Sequence, residues 1–264
     1  MLGRVGADAI ESFRGFGRLS VLGARVLLIS VSSLPRRRLL VPLMFEIGVR
    51  SLPVVAITGA FTGMVLAVQA YAQFHRLRIE NLLGAIVSVA MVKELGPVLT
   101  ALMLAGRVGS AMTAELGTMR VTDQIDALRS MGTDPVAYLA VPRFLACVML
   151  MPVLTAYSDV IGILGGWFVG VKTLTIDPHY YWYHAAFYTD TYDIVCGLVK
   201  AVFFGAFLSV ICCYKGFHCG EGAKGVGRAT TEANVASCMT ILVANFFLAV
   251  IMWQVRNRFF PYYA

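Results

Sequence analysis

The chain has 264 residues, of which 58% are hydrophobic and 14% charged, with a formal net charge of +7. Soluble domains carry about 25% charged residues, so this composition excludes a soluble globular protein and leaves no span for a separate catalytic domain. No basic stripe interleaved with aromatics is present, which directs the positive charge toward anionic lipid rather than nucleic acid.

Residues 1–50 read as an N-terminal amphipathic region. Arg4, Arg14, Arg18 and Arg25 alternate with Ile10, Phe13, Phe16 and Leu19, the pattern of a helix lying in the membrane interface. The segment lacks the compact apolar core and small-residue cleavage site of a signal peptide. "PRRRLLVPLMFEIGVRSLP" follows, with Arg36, Arg37 and Arg38 ahead of Pro42 and Pro53. It reads as a second interfacial or re-entrant element.

A membrane domain then occupies 51–256. Spans are predicted at about 52–75, 82–113, 144–171, 194–214 and 235–255, each with the roughly 20 residues needed to cross hydrocarbon. The fold class is therefore an all-α membrane protein. The second span is long, and Pro97 predicts a bend in it. Gly59 with Gly63 and Gly162 with Gly166 repeat at the small-residue spacing that lets helices approach closely, within the chain or across a dimer. Five spans put the termini on opposite sides. Of the 22 Lys and Arg residues, 14 fall in the segments that share the N-terminal side and five on the other, which predicts a cytoplasmic N-terminus and a C-terminus on the opposite side, the periplasmic one if the membrane is a bacterial inner membrane.

Between the second and third spans, Thr122 is the expected N-cap of a short helix, and Asp123 and Asp126 suit its N-terminus. Arg129 suits the other end, Gly132 stops it, and Asp134-Pro135 turns the chain. Ile125, Leu128 and Met131 form one apolar stripe. A helix this short needs something to dock on. The membrane surface, the chain's own helices and a groove on a cytoplasmic partner all fit.

"GFHCGEGAKGVGRATTEANV" is Gly-rich but lacks the G-x-x-x-x-G-K-[ST] order of a phosphate loop. It reads as a flexible turn, with Thr230 and Thr231 capping the last span. "KTLTIDPHYYWYHAAFYTDTYD" reads as an interfacial helix anchored by aromatics. His179 and His184 lie near Asp177, Asp190 and Asp193, where a catalytic or metal cluster is the alternative to interfacial anchoring, which is expected; the run "CCYKGFHC" lacks the paired spacing of zinc sites, so ordinary packing is expected there. No nucleophile elbow, zinc-protease or redox motif is present, and no cofactor is expected in this chain.

The second span carries Lys93, Glu94 and Arg107 within "MVKELGPVLTALMLAGRVGS". A charge at the bilayer centre costs about 2.5–3.5 kcal/mol on insertion scales. Lys93 lies about 16 Å into the span and Arg107 about 21 Å further, at the cytoplasmic surface. Lys93 and Glu94 point about 100° apart and must find partners elsewhere. An interhelical ion pair and a polar point in an apolar cavity both fit. Such a cavity suits an amphiphile, with Leu66, Phe74 and Leu77 available as wall.

The block "KELGPVLTALMLAGRVGSAMTAELGTMRVTDQIDALRSMGTDPVAYLAVPRFLA" closely resembles the MlaE/YrbE family, permease subunits of bacterial ABC transporters that move phospholipid between membranes. "GAFTGMVLAVQ" and "GVGRATTEANV" also look like family segments. The resemblance covers most of 50–250. It implies a homodimer in the inner membrane with two cytoplasmic ATPase subunits, which hold ATP and Mg. It further implies a periplasmic ring of MCE domains and a STAS-domain subunit. It places Lys93 and Glu94 among lipid-pocket charges, with Leu66, Phe74 and Leu77 on the pocket wall. Lys93 stands where the family more often has Arg, which keeps the charge but loses the planar fork. It places the helix of Thr122, Asp123, Ile125, Asp126, Leu128, Arg129 and Met131 against the ATPase. An intramembrane lipid-modifying enzyme using Glu94 is the alternative reading.

Overall fold

The computed structural model describes residues 2–32 and 37–259, with side chains for 15, 17–32 and 37–258. Among the described residues there is no strand. Helix α1 is Leu2–Ser32 and α2 is Arg37–Ile47, which passes through one tight turn, Val49–Ser51, into α3, Leu52–Leu77. The long helical span Glu80–Val121 is α4. Then come α5, Gln124–Ser130; α6, Val136–Lys172; α7, Pro178–Tyr188; α8, Thr191–Phe217; and α9, Gly222–Phe259.

The run Arg37–Leu77, together with α4, α6, α8 and most of α9, supplies five helices long and apolar enough to cross a membrane. All five expected spans are present, and each helix outruns its apolar window. Hydropathy marks where hydrocarbon begins, whereas a helix continues until its backbone bonding stops.

Helix α3 packs along α6, α8 packs on α6, and α9 packs on α8 and α4. Lipid offers little hydrophobic drive between helices, so close backbone approach carries the packing. A Cβ on Gly63 would run into the Gly162 carbonyl oxygen. The Gly59/Gly63 and Gly162/Gly166 pairs thus meet within one chain. The main core is Leu104, Val108, Leu116, Phe144, Phe204 and Leu208, with Ile125 at its α5 end.

Pro97 does not simply bend α4. The helix widens into a π turn, Met91–Leu95, just before it, and again at Ala105–Gly109. Proline lacks an N–H and crowds the carbonyl four residues back, here that of Lys93. The widened turn absorbs that conflict.

Two local expectations are corrected. Thr122 does not cap α5, because its hydroxyl bonds back to the Thr118 carbonyl at 2.8 Å and α4 runs on to Val121. The turn is made instead by Asp123 in the left-handed region, at φ 56°. Gly132 does end the helix, at φ 75°. The Gly-rich segment turns only at 218–221. Helix α9 begins at Gly222, and the Thr230 and Thr231 hydroxyls bond to the Val226 and Gly227 carbonyls inside it. Packing of α9 on α4 and α8 outweighs the low helix propensity of glycine, which is worth only about 1 kcal/mol per residue.

Helix α7 begins with Asp177 accepting from the His179 N–H at 2.7 Å. Tyr181 is fully buried and donates to the Ile163 carbonyl at 3.1 Å, while Tyr180, Trp182, Tyr183, Phe187 and Tyr188 are exposed. His179 and His184 stack on Tyr183 and Tyr180.

Candidate functional site

The π turn before Pro97 presents Lys93 and Glu94 to α8 and α9. Helix α8 comes close because Gly197 faces it: a Cβ there would strike the Val92 carbonyl oxygen. Asp193, Cys196 and Lys200 recur at helical spacing and share the α8 face turned to the π turn. Lys93 and Glu94 do not pair with each other. The Lys93 ammonium lies 3.0 Å from Asp193 Oδ1, and the Lys200 ammonium lies 2.7 Å from Glu94 Oε1.

Each pair has further support. Arg256 on α9 reaches Asp193 at 3.3 Å and Asp190 at 3.0 Å. Asn245 donates to Glu94 Oε2 at 3.1 Å. The Lys200 ammonium also donates to the Lys93 carbonyl at 3.1 Å. That carbonyl is the one Pro97 cannot serve in an α-helix. Lys200 is only 1% exposed, and its charge is tolerable because both contacts are in place. Three cations, Lys93, Lys200 and Arg256, balance three anions, Glu94, Asp190 and Asp193.

Beside this network lies a cavity of about 330 Å³. Lys93, Glu94, Lys200 and Arg256 form its charged side; Tyr192, Met252 and Trp253 supply apolar wall. The Glu94 and Lys93 side chains remain 41% and 36% exposed, so a ligand can reach both. The volume is at the small end of ligand sites, about 300–1,000 Å³. The outer face of α9 beyond it is apolar and exposed at Phe246, Phe247 and Trp253.

Leu66, Phe74 and Leu77 lie on α3 and are not among the residues lining this cavity. Leu66 packs half-buried on the cluster of Leu83, Val87 and Met91; Phe74 is half-buried and Leu77 is 66% exposed. Arg107 is half-buried. It donates to the Ser51 hydroxyl at the α2–α3 corner, and α4 continues well past it.

In α5, Ile125 is 1% exposed in the chain's own core and Leu128 packs half-buried against it, whereas Met131 is 70% exposed. Asp126 accepts from Arg120 at 2.7 Å and from Arg129 at 2.9 Å. Thr122 and Asp123 are exposed at the turn. Part of the predicted stripe is thus used internally, and its far end is open.

Sequence reading missed Lys200, Asp193, Asn245 and Arg256 as site residues. Lys200 carried a signal: a lysine about 13 Å into an apolar span is itself costly. Which partner it takes required the helix pairing.

A family model, described as permease MlaE, matches residues 40–251. The chain belongs to the MlaE permease family. A protein of Rickettsia felis called "Probable ABC transporter permease protein" is 42% identical over 95% of this chain and 97% of its own. The "Intermembrane phospholipid transport system permease protein MlaE" of Haemophilus influenzae is 37% identical over 94% of this chain and 96% of its own. The Arabidopsis thaliana protein TRIGALACTOSYLDIACYLGLYCEROL 1, chloroplastic, is 38% identical over 78% of this chain and 59% of its own. This MlaE-family chain is therefore a multi-pass membrane permease of the ABC transporter type. Lys93, Glu94 and Lys200 fall inside the matched region, and Arg256 lies just beyond it.

Proposed function

We propose that this permease moves glycerophospholipid between the bacterial inner membrane and a periplasmic MCE-domain carrier, and so maintains outer-membrane lipid asymmetry. ATP would be hydrolysed by two separate cytoplasmic ATPase subunits, coupled through α5, with a STAS-domain subunit alongside. The N-terminus is cytoplasmic and the C-terminus periplasmic in this reading. The observation that carries it is the Glu94–Lys200 pair at the edge of an apolar cavity. Headgroup meets the charges and acyl chain meets the α9 wall. A second copy against α9 would enlarge the cavity beyond one chain. Leu66, Phe74 and Leu77 belong to the lipid wall only if a partner surface extends it to them.

The alternative, a lipid-modifying enzyme using Glu94, is less well supported. Both carboxylate oxygens are engaged, by Lys200 and Asn245. With both oxygens already bonded within the protein, Glu94 is poorly placed to exchange a proton with a substrate.

The test is transfer of labelled phospholipid by the reconstituted complex with its ATPase. Intact lipid should move, and Glu94→Lys should stop it. The Glu94→Lys/Lys200→Glu exchange should recover part of the activity. Hydrolysed or modified lipid produced by this chain alone would overturn the permease reading.

A further inference from the structure

The Lys93–Glu94 cavity leaves a second concave region unused at the other end of α8. Tyr214 lies 18 residues beyond Cys196, about 27 Å along the helix. There α1 and the α8–α9 turn enclose a cleft of about 540 Å³. Its walls carry Arg18, Lys215, Lys224 and Arg228 against Glu221 and Glu232. Lys215 and Arg228 each sit 2.8 Å from Glu232, so one carboxylate is shared by two cations. The lining thus carries four basic side chains and two acidic ones. The first turn of α9 also opens here, with Lys224 and Gly225 lining the cleft, and a helix N-terminus favours an anion.

A second groove of about 590 Å³ adjoins it and shares Arg18 and His218. It runs along α1 past Val21 and Leu22 to Arg25, whose guanidinium is held by Asp134 at 3.0 Å, and most of its surface is apolar. Val21 is 70% exposed. Arg18 stands at the junction of a basic cleft and an apolar groove. An acidic protein segment or a free phosphate would use the first and leave the second empty.

We propose that this compound cleft holds an anionic glycerophospholipid of the leaflet on the α5 side. The phosphate sits among Arg18, Lys224 and the α9 N-terminus. One acyl chain follows Val21 and Leu22, and the lipid fastens α1 to the bundle.

The test uses the purified full chain in neutral detergent with phosphatidylglycerol bearing a photoreactive acyl chain. Phosphatidylcholine with the same chain and glycerol 3-phosphate as competitor form the other arms. Phosphatidylglycerol should label 17–25, and phosphatidylcholine should label it weakly. Arg18→Glu/Lys224→Glu should cut that label about tenfold or more, since each basic charge near anionic lipid contributes about fivefold. Labelling of the cavity wall at 249–253 should persist, and Val21→Asp should lose the 17–25 label without shifting the thermal midpoint. Loss of label only at 249–253 would bear on the transport cavity and leave this site standing. Equal labelling by both lipids, an undiminished label in the double variant, or displacement by equimolar glycerol 3-phosphate would overturn it. If the glutamate variants unfold, Arg18→Gln/Lys224→Gln must still lose the preference for phosphatidylglycerol.

Discussion

The Lys200 ammonium on α8 donates to the Lys93 carbonyl on α4 at 3.1 Å. That single contact ties the proline, the π turn and the buried charge together. Pro97 removes the N–H that an α-helix would aim at this carbonyl, and a lysine from another helix offers a donor in its place. The same ammonium then fixes Glu94 at the cavity.

Lys200→Met should therefore do more than remove a charge. It withdraws the donor from the Lys93 carbonyl and leaves Glu94 with Asn245 alone. Because the Glu94 side chain is 41% exposed and keeps Asn245, the loss should fall short of the roughly 3–5 kcal/mol for breaking a fully buried pair. Thermal unfolding in detergent should show a clear fall for Lys200→Met and a smaller one for Lys200→Met/Glu94→Gln. Equal losses in both would mean that the pair is not coupled.

Pro97→Ala restores an N–H facing the Lys93 carbonyl. Lys200 should then matter less. A double-mutant cycle between Pro97→Ala and Lys200→Met is expected to show coupling of about 0.5–3 kcal/mol, the range for groups sharing a partner. Strict additivity would separate the proline from the lysine.

Gly197→Ala places a methyl against the Val92 carbonyl, which is backbone and cannot step aside. Overpacking of this kind costs about 1–3 kcal/mol. The expected result is a lower thermal midpoint together with reduced lipid transfer, because α8 would be pushed off the π turn that carries Lys93 and Glu94. An unchanged midpoint would show that the two helices separate without penalty.

Helix α5 offers a contrast between two residues of one stripe. Met131→Asp alters a residue that is 70% exposed, and Ile125→Asp one that is 1% exposed. If α5 docks on an ATPase, Met131→Asp should lower the ATPase recovered with the purified permease about tenfold or more while the fold survives. Ile125→Asp should reduce the yield of folded protein instead. Full ATPase recovery with Met131→Asp would remove Met131 from the docking surface.

The sequence alone determined the class and the five spans, because about 20 apolar residues in a row have no other stable home than a bilayer. It also marked Lys93 and Glu94, since a charge at that depth is too costly to be incidental. It placed the short helix after α4 and its stop at Gly132, because glycine tolerates the left-handed turn. Tertiary structure decided the rest. Thr122 reads as a cap locally, yet α4 continues through the region and takes its hydroxyl. Glycines 222 to 227 read as a loop, yet packing holds them helical. Nothing in the order of residues says that Lys93 takes Asp193 while Glu94 takes Lys200. That choice depends on which helix faces lie opposite, and on Gly197 letting two backbones come close enough for side chains from three helices to meet.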